Sequence, residues 1–233
     1  MKRNILFALL LLNVTYVISA CATPVTYSAE PIEAWIVDAD TKQPLEGVIV
    51  VAHWALEGGI HVDRVGELVI LETVTDQNGR FYFPAWGPIR HWKRSRLTNM
   101  DPELLILKSG YEHKRLANPS TKEAIEGKPY PVRRLVWNGK TIGLKPFKGT
   151  VEEYAEHVYW LGSDISLMLD LARGDKECNW RKIPRMLVAL NNVSRHVEDQ
   201  GVRLFGRHIL RIEDIPSGRG CGSPEEILWG KQP

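Results

Sequence analysis

Three hydropathy patterns follow one another along the chain. Lys2 and Arg3 precede an unbroken apolar run over residues 5–12, which residues 14–18 continue with Thr15 and Tyr16 interrupting. This is the charged start and apolar middle of a secretory signal. Asn13, Thr15, Ser19 and Pro24 keep it short of the roughly 20 apolar residues that a membrane-spanning helix needs. From residue 31 the pattern becomes short β-branched and aromatic runs at 32–37, 47–54, 67–75, 80–83, 103–108, 132–137 and 140–144. Polar punctuation separates them, with Asp76-Gln77-Asn78-Gly79 and Asn138-Gly139 read as hairpin turns because Asn and Gly tolerate positive φ. About seven such strands predict a β-sandwich.

From Thr150 the period changes to three and four. Val151, Tyr154, Ala155, Val158, Leu161, Ile165, Met168, Leu169 and Ala172 form one apolar stripe, opened by a Thr150-x-x-Glu153 capping box and closed near Gly174. A second helix is expected to start at Pro184 and to bury Ile183, Leu187, Leu190, Val193 or Ser194, and Val197 before Gly201. Ser223-Pro224-Glu225-Glu226 opens a further short turn of helix. The predicted architecture is a β-sandwich followed by an α-helical C-terminal hairpin, with divisions at 1–20 (signal), 21–30 (tether), 31–147 (sandwich) and 148–233 (helical region).

Composition narrows the class. With 44% hydrophobic and 25% charged residues among 233, the chain is neither disordered nor fibrous. The formal charge of +2 belongs to Lys2 and Arg3, so without residues 1–20 the balance is zero and electrostatics rests on local patches. The basic patch is the segment 84–96, read as a loop, where Trp86 and Trp92 alternate with Arg90, His91, Lys93, Arg94 and Arg96. Stacking faces beside cations suit an anionic or sugar-like polymer; the alternative is that the tryptophans plug the sandwich while the charges are solvated. Single-stranded nucleic acid readers use the same mixture, but a secreted address argues against nucleic acid. In the loop read at 55–64 and just before it, His53, Glu57, His61 and Asp63 are ligand-type side chains whose spacing matches no metal-binding pattern. Glu152, Glu153, Glu156 and His157 lack a matching set on the second helix, and the helix dipole accounts for the acids. No metal, cofactor or catalytic residue is assigned.

The residues that end the signal, Ile18-Ser19-Ala20-Cys21, resemble the lipobox of bacterial lipoproteins. The resemblance implies that Cys21 is acylated and becomes the first residue, and that Ala22 directs the protein to the outer membrane, facing the periplasm. Several chains on one cysteine give stable anchoring where a single chain is marginal. Cys178 and Cys221 then remain in an oxidising compartment as a candidate disulfide, with two thiols as the alternative because spacing alone does not bring Cα atoms together.

Val37-Asp38, Gln43-Pro44-Leu45-Glu46-Gly47-Val48, Thr75-Asp76-Gln77-Asn78-Gly79-Arg80-Phe81 and Ser109-Gly110-Tyr111 resemble the carboxypeptidase regulatory-like domain, a transthyretin (prealbumin)-like sandwich. The resemblance covers about half of the chain and implies an accessory module without catalytic residues. The function expected is therefore a non-catalytic, lipid-anchored envelope protein that binds or scaffolds an envelope polymer or a periplasmic protein. The alternative is a transthyretin-fold enzyme, such as a metal-dependent dioxygenase or a hydrolase. Against it, the His-x-His pair of intradiol dioxygenases is missing, Tyr82, Tyr111 and Tyr130 have no such partner, and the closing Tyr-Arg-Gly-Ser of 5-hydroxyisourate hydrolases is absent.

Overall fold

The computed structural model describes residues 24–59, 63–91, 95–98, 100–118, 132–217 and 220–230. The signal, Cys21, His61, Trp92, Lys93, Arg94 and Tyr130 lie outside them. In chain order the strands are β1 (Val25–Ala29), β2 (Ile32–Asp38), β3 (Ile49–Gly58), β4 (Asp63–Val74), β5 (Arg80–Phe83), β6 (Trp86–His91), β7 (Arg96–Leu97), β8 (Glu103–Leu107), β9 (Lys114–Leu116), β10 (Val132–Arg133) and β11 (Thr141–Leu144). The helices are α1 (Val151–Met168), α2 (Pro184–Asp199) and α3 (Pro224–Trp229). β4-β3-β8-β9 form one sheet, with β7 also paired to β3; β10-β1-β6 and β11-β2-β5 form two smaller ones.

The central strands explain why their sequence is apolar without alternation. Val50, Ala52, Trp54 and Leu56 of β3, with Leu104 and Ile106 of β8, face Tyr27, Ile32, Ile36, Phe81 and Phe83 of the small sheets. Val51, Leu105, Leu107 and Ile70 face the other way, onto Val158, Leu161, Ile165, Leu187 and Leu190 of the helices. A strand buried on both faces has no polar side to show. The molecule is thus a β-sandwich with a helical layer on its outer face, held by two apolar cores.

The helices dock through specific caps. Thr150 and Glu153 form the reciprocal capping box of α1. Ile183 cannot cap α2, and that role falls to Glu72 of β4, whose carboxylate accepts from the amides of Arg185 (3.1 Å) and Met186 (2.8 Å). Burial, the larger effect, raises the Glu72 pKa, and the two amide bonds oppose it. Cys178 and Cys221 are joined in a disulfide with Cα atoms 5.4 Å apart, a closure worth about 4 kcal/mol in the chain-entropy account.

The family-like motif residues gather at one end of the sandwich. Asp38 Oδ1 accepts from the amides of Asp40 and Thr41, both 2.8 Å, and its Oδ2 accepts from the Tyr111 hydroxyl at 3.0 Å. Thr75 Oγ1 accepts from the Val48 amide and donates to the Leu45 carbonyl. Gly79 has φ +70°, and any side chain there would collide with the Ile36 carbonyl.

Four expectations change. Residues 25–29 are not tether but β1, antiparallel to β6 and parallel to β10, with Tyr27 and Ala29 in the core. Small and polar neighbours hid its strand signal. The segment read as a loop at 84–96 contains β6, an edge strand, where Pro88 forfeits no ladder bond a neighbour needs. Gly87, at φ +95°, lets it approach the Tyr27 carbonyl, which a Cβ would meet at 2.6 Å. The loop read at 55–64 is mostly the continuation of the β3–β4 hairpin, with bulges after Trp54 and Leu56. Asn138-Gly139 turns the chain but makes no hairpin: β10 pairs with β1 and β11 with β2, while Asn138 Oδ1 accepts the Glu33 amide at 2.7 Å. β1 and β6, together with β7 and β9, which no expected run covers, bring the strands among the described residues to eleven, against about seven expected.

Candidate functional site

The described members of the basic aromatic segment, Trp86, Arg90, His91 and Arg96, take separate roles, and Trp92, Lys93 and Arg94 lie outside the described residues. Trp86 packs edge-on against Trp54, ring centroids 5.2 Å apart, so it belongs to the sandwich core. His91 is buried, with Nε2 2.7 Å from Ser95 Oγ. Arg96 is exposed but paired with Glu57 at 2.8 Å, and Arg90 is exposed on β6. The ligand-type set 53–63 disperses too, because Glu57 is in that ion pair, Asp63 is exposed, and His53 is buried elsewhere. On α1, Glu153 caps the helix, Glu156 lies 3.6 Å from Arg207, and His157 Nε2 accepts the His113 amide at 2.8 Å. Among the described residues no three His, Cys, Asp or Glu side chains are grouped to hold a metal ion.

The organised polar constellation instead surrounds His53, on the helix-facing side of β3. Its Nδ1 lies 3.1 Å from Glu67 Oε2 of β4, and its Nε2 lies 3.3 Å from Glu103 Oε2 of β8, its direct cross-strand neighbour. Each carboxylate carries an arginine in turn: Arg64 Nε donates to Glu67 at 2.7 Å, and Arg115 grips Glu103 while lying 3.7 Å from Asp164 of α1. Burial disfavours the imidazolium, but the Glu103 and Glu67 hydrogen bonds outweigh it and raise the His53 pKa. With protons on both ring nitrogens, the nearby Arg64 Nη2 at 3.3 Å is a neighbour and not a donor to the ring. Burial likewise opposes ionisation of Glu103, yet His53 and Arg115 bring its pKa down to about 2.

A cleft of about 280 Å³ opens beside this network, lined by Glu57, Thr98, Met100, Asp101 and, from α1, Leu167. Asp101 is the outlier there. Its Oδ1 accepts the Ala55 amide at 3.0 Å, and burial, against hydrogen bonds from Thr98 and Ala55, pushes its pKa up to about 7. Its Oδ2 has no hydrogen-bond partner among the described residues. Asn118 fixes the surrounding chain, donating to the carbonyls of Asp101 and Arg134. A carboxyl that keeps its proton beside one that keeps its charge is the pairing used in acid–base chemistry. Here, however, the charged partner, Glu103, is engaged by His53 and Arg115.

The sequence reading singled out His53 but not Arg64, Glu67, Asp101, Glu103 or Arg115. The available signal was a charge at the head of an apolar strand run, as at Glu103, which opens the otherwise buried run of β8.

No protein-family model matches the chain, and no curated protein matches it. Among solved structures, it is similar in part to the C-terminal domain of the shaft pilin spaA from Lactobacillus rhamnosus GG, at 12% identity over 53% of this chain and 99% of that one, with a TM-score of 0.22. A 9R-lipoxygenase from Cyanothece PCC8801 gives 15% identity over 71% and 25%, TM-score 0.26. The dioxygenase domain of a dioxygenase carbohydrate-binding protein fusion from Streptomyces sp. SirexAA-E gives 14% over 56% and 84%, TM-score 0.25. Scores this low assign neither a common fold nor an activity.

Proposed function

We propose that the protein is a non-catalytic, lipid-anchored envelope protein whose transthyretin-like sandwich, of the carboxypeptidase regulatory-like kind, serves as a periplasm-facing binding or scaffolding body. The observation that carries the non-catalytic part is the closure of the His53 network. Both ring nitrogens face carboxylates, and both carboxylates are held by arginines, so the constellation works as a strut between strands and α1. The anchoring part rests on the lipobox-like Ile18-Ser19-Ala20-Cys21 after an apolar run. No helix among the described residues is long and apolar enough to cross a membrane.

Fractionation of cells expressing Cys21→Ala tests the anchor. The variant is expected to move from the membrane to the soluble fraction, and its retention on membranes would refute acylation at Cys21. Metal analysis of the purified protein tests the non-catalytic part, which stoichiometric iron or zinc would overturn.

A further inference from the structure

We infer that one end of the sandwich, carrying Val25, Val65, Met100 and Leu167, lies against the headgroup surface of the membrane that holds Cys21. The inference rests on the acylation of Cys21 and adds which face meets the bilayer. Three residue steps separate Cys21 from Pro24, a span of at most about 11 Å, and Val25 already pairs with His91 in the sheet. A body tethered so closely cannot turn freely, and the end from which β1 starts must stay near the anchor.

The elements at that end follow from register. Val25 and Thr26 lie opposite His91 and Arg90. The chain returns through β7, where Arg96 and Leu97 pair with Glu57 and Leu56, and the Leu97 amide faces the Tyr27 hydroxyl at 3.4 Å. Glu57 pairs with Arg64 on β4. Arg64 and Leu167 line both the cleft beside His53 and an adjoining one of about 520 Å³, which brings the last turn of α1 to the same end.

This end also concentrates exposed apolar side chains that no core explains: Val25 at 42%, Val65 at 49%, Met100 at 53% and Leu167 at 64% exposure. Arg90, Arg96 and Arg173 are exposed among them. Apolar tips beside the exposed Arg90 match the boundary of a bilayer, where its stem meets acyl chains and its guanidinium meets phosphates, while Arg96 and Arg173 are engaged by Glu57 and Asp170. Acids at this end are largely matched, Glu57 by Arg96, Glu67 by Arg64 and Asp170 by Arg173. Asp63 is the exposed exception.

Native cysteines leave single-thiol labelling open, since Cys178 and Cys221 are bonded to each other and Cys21 would carry lipid. Val65→Cys and Leu167→Cys in the full lipidated protein would be labelled with a fluorophore and reconstituted into phosphatidylethanolamine–phosphatidylglycerol vesicles containing a headgroup-attached quencher. The controls are Gln43→Cys, which meets the far end of β2 at Asp38, and Phe205→Cys, a fully exposed apolar position in the chain after α2. Quenching at 65 and 167 is expected to exceed that at 43 and 205 at least threefold. Protein that floats with vesicles but is quenched equally at all four sites, or most at 205, would overturn the orientation while leaving the anchor intact. Protein that fails to float would overturn the anchor and the orientation with it.

Discussion

The two faces of the β4-β3-β8-β9 sheet are built from the same strands and end differently. On the sandwich face, the apolar side chains of β3 continue from Val50 through Ala52 and Trp54 to Leu56. On the helix face, Val51 and Leu105 give way to His53 and Glu103 at the next positions. The first face is closed by shape and apolar contact alone. The second is closed by apolar contact under the helices and by charge where the last turn of α1 gives out, with Arg115 bridging Glu103 toward Asp164. Apolar burial is insensitive to pH, whereas an ion network holds only while its members keep their charges, so one sheet carries two kinds of stability.

Truncation on the sandwich face should cost most. Trp54→Ala removes a fully buried indole and its edge-on contact with Trp86, and urea denaturation should show a loss of about 4 kcal/mol, similar at pH 5 and pH 8. A loss that changes strongly with pH would mean the two faces are coupled and the comparison is wrong.

His53→Ala comes next, at about 3 kcal/mol, because it leaves Glu67 and Glu103 facing one another without the imidazolium. Its pH dependence distinguishes it from the first variant. The raised His53 pKa gives stability that is full below the unfolded value of 6.5 and is lost as pH rises through the folded one. The lowered Glu103 pKa gives stability that is full above 4.5 and is lost as pH falls toward about 2. The destabilisation should therefore peak between about pH 4.5 and 6.5 and shrink on both sides; a flat profile would assign His53 a packing role only.

Asp101→Asn is the one substitution of the three expected to stabilise, and its effect depends on pH. A carboxyl raised from 3.8 to about 7 favours the fold at low pH and loses that contribution as pH rises through this interval. Asparagine keeps an acceptor for the Ala55 amide without the charge, so the variant should gain on the wild type between pH 5 and pH 8. Denaturation midpoints at the two values check this, and a wild-type advantage that grows with pH would show that Asp101 is ionised in the fold.

Much of the architecture could be read from the chain because its causes are local. The capping box at Thr150 and Glu153, Pro184 at the first turn of α2, and the β-branched runs of β3 and β8 each act through neighbours a few residues away. The turn residues Asp38, Thr75 and Gly79 do the same for the motif end, although their closing partners, such as Tyr111 for Asp38, come from afar. β1 and β6 escaped because neither has a strong pattern of its own. Each is a strand because the other offers a ladder, and Gly87 permits their close approach.

The His53 network and the cap on α2 belong wholly to the tertiary structure. Nothing near His53 in the sequence selects Glu103 as its partner, and nothing in α2 points to Glu72. Sheet register and helix docking bring these groups together, and burial then converts proximity into shifted protonation states. The amino-acid sequence by itself determined the apolar periods, the turns and the lipobox-like start, because steric and hydrophobic preferences operate residue by residue. Which charges meet was decided only on folding, because electrostatic partnership depends on distance in space and on exclusion of water.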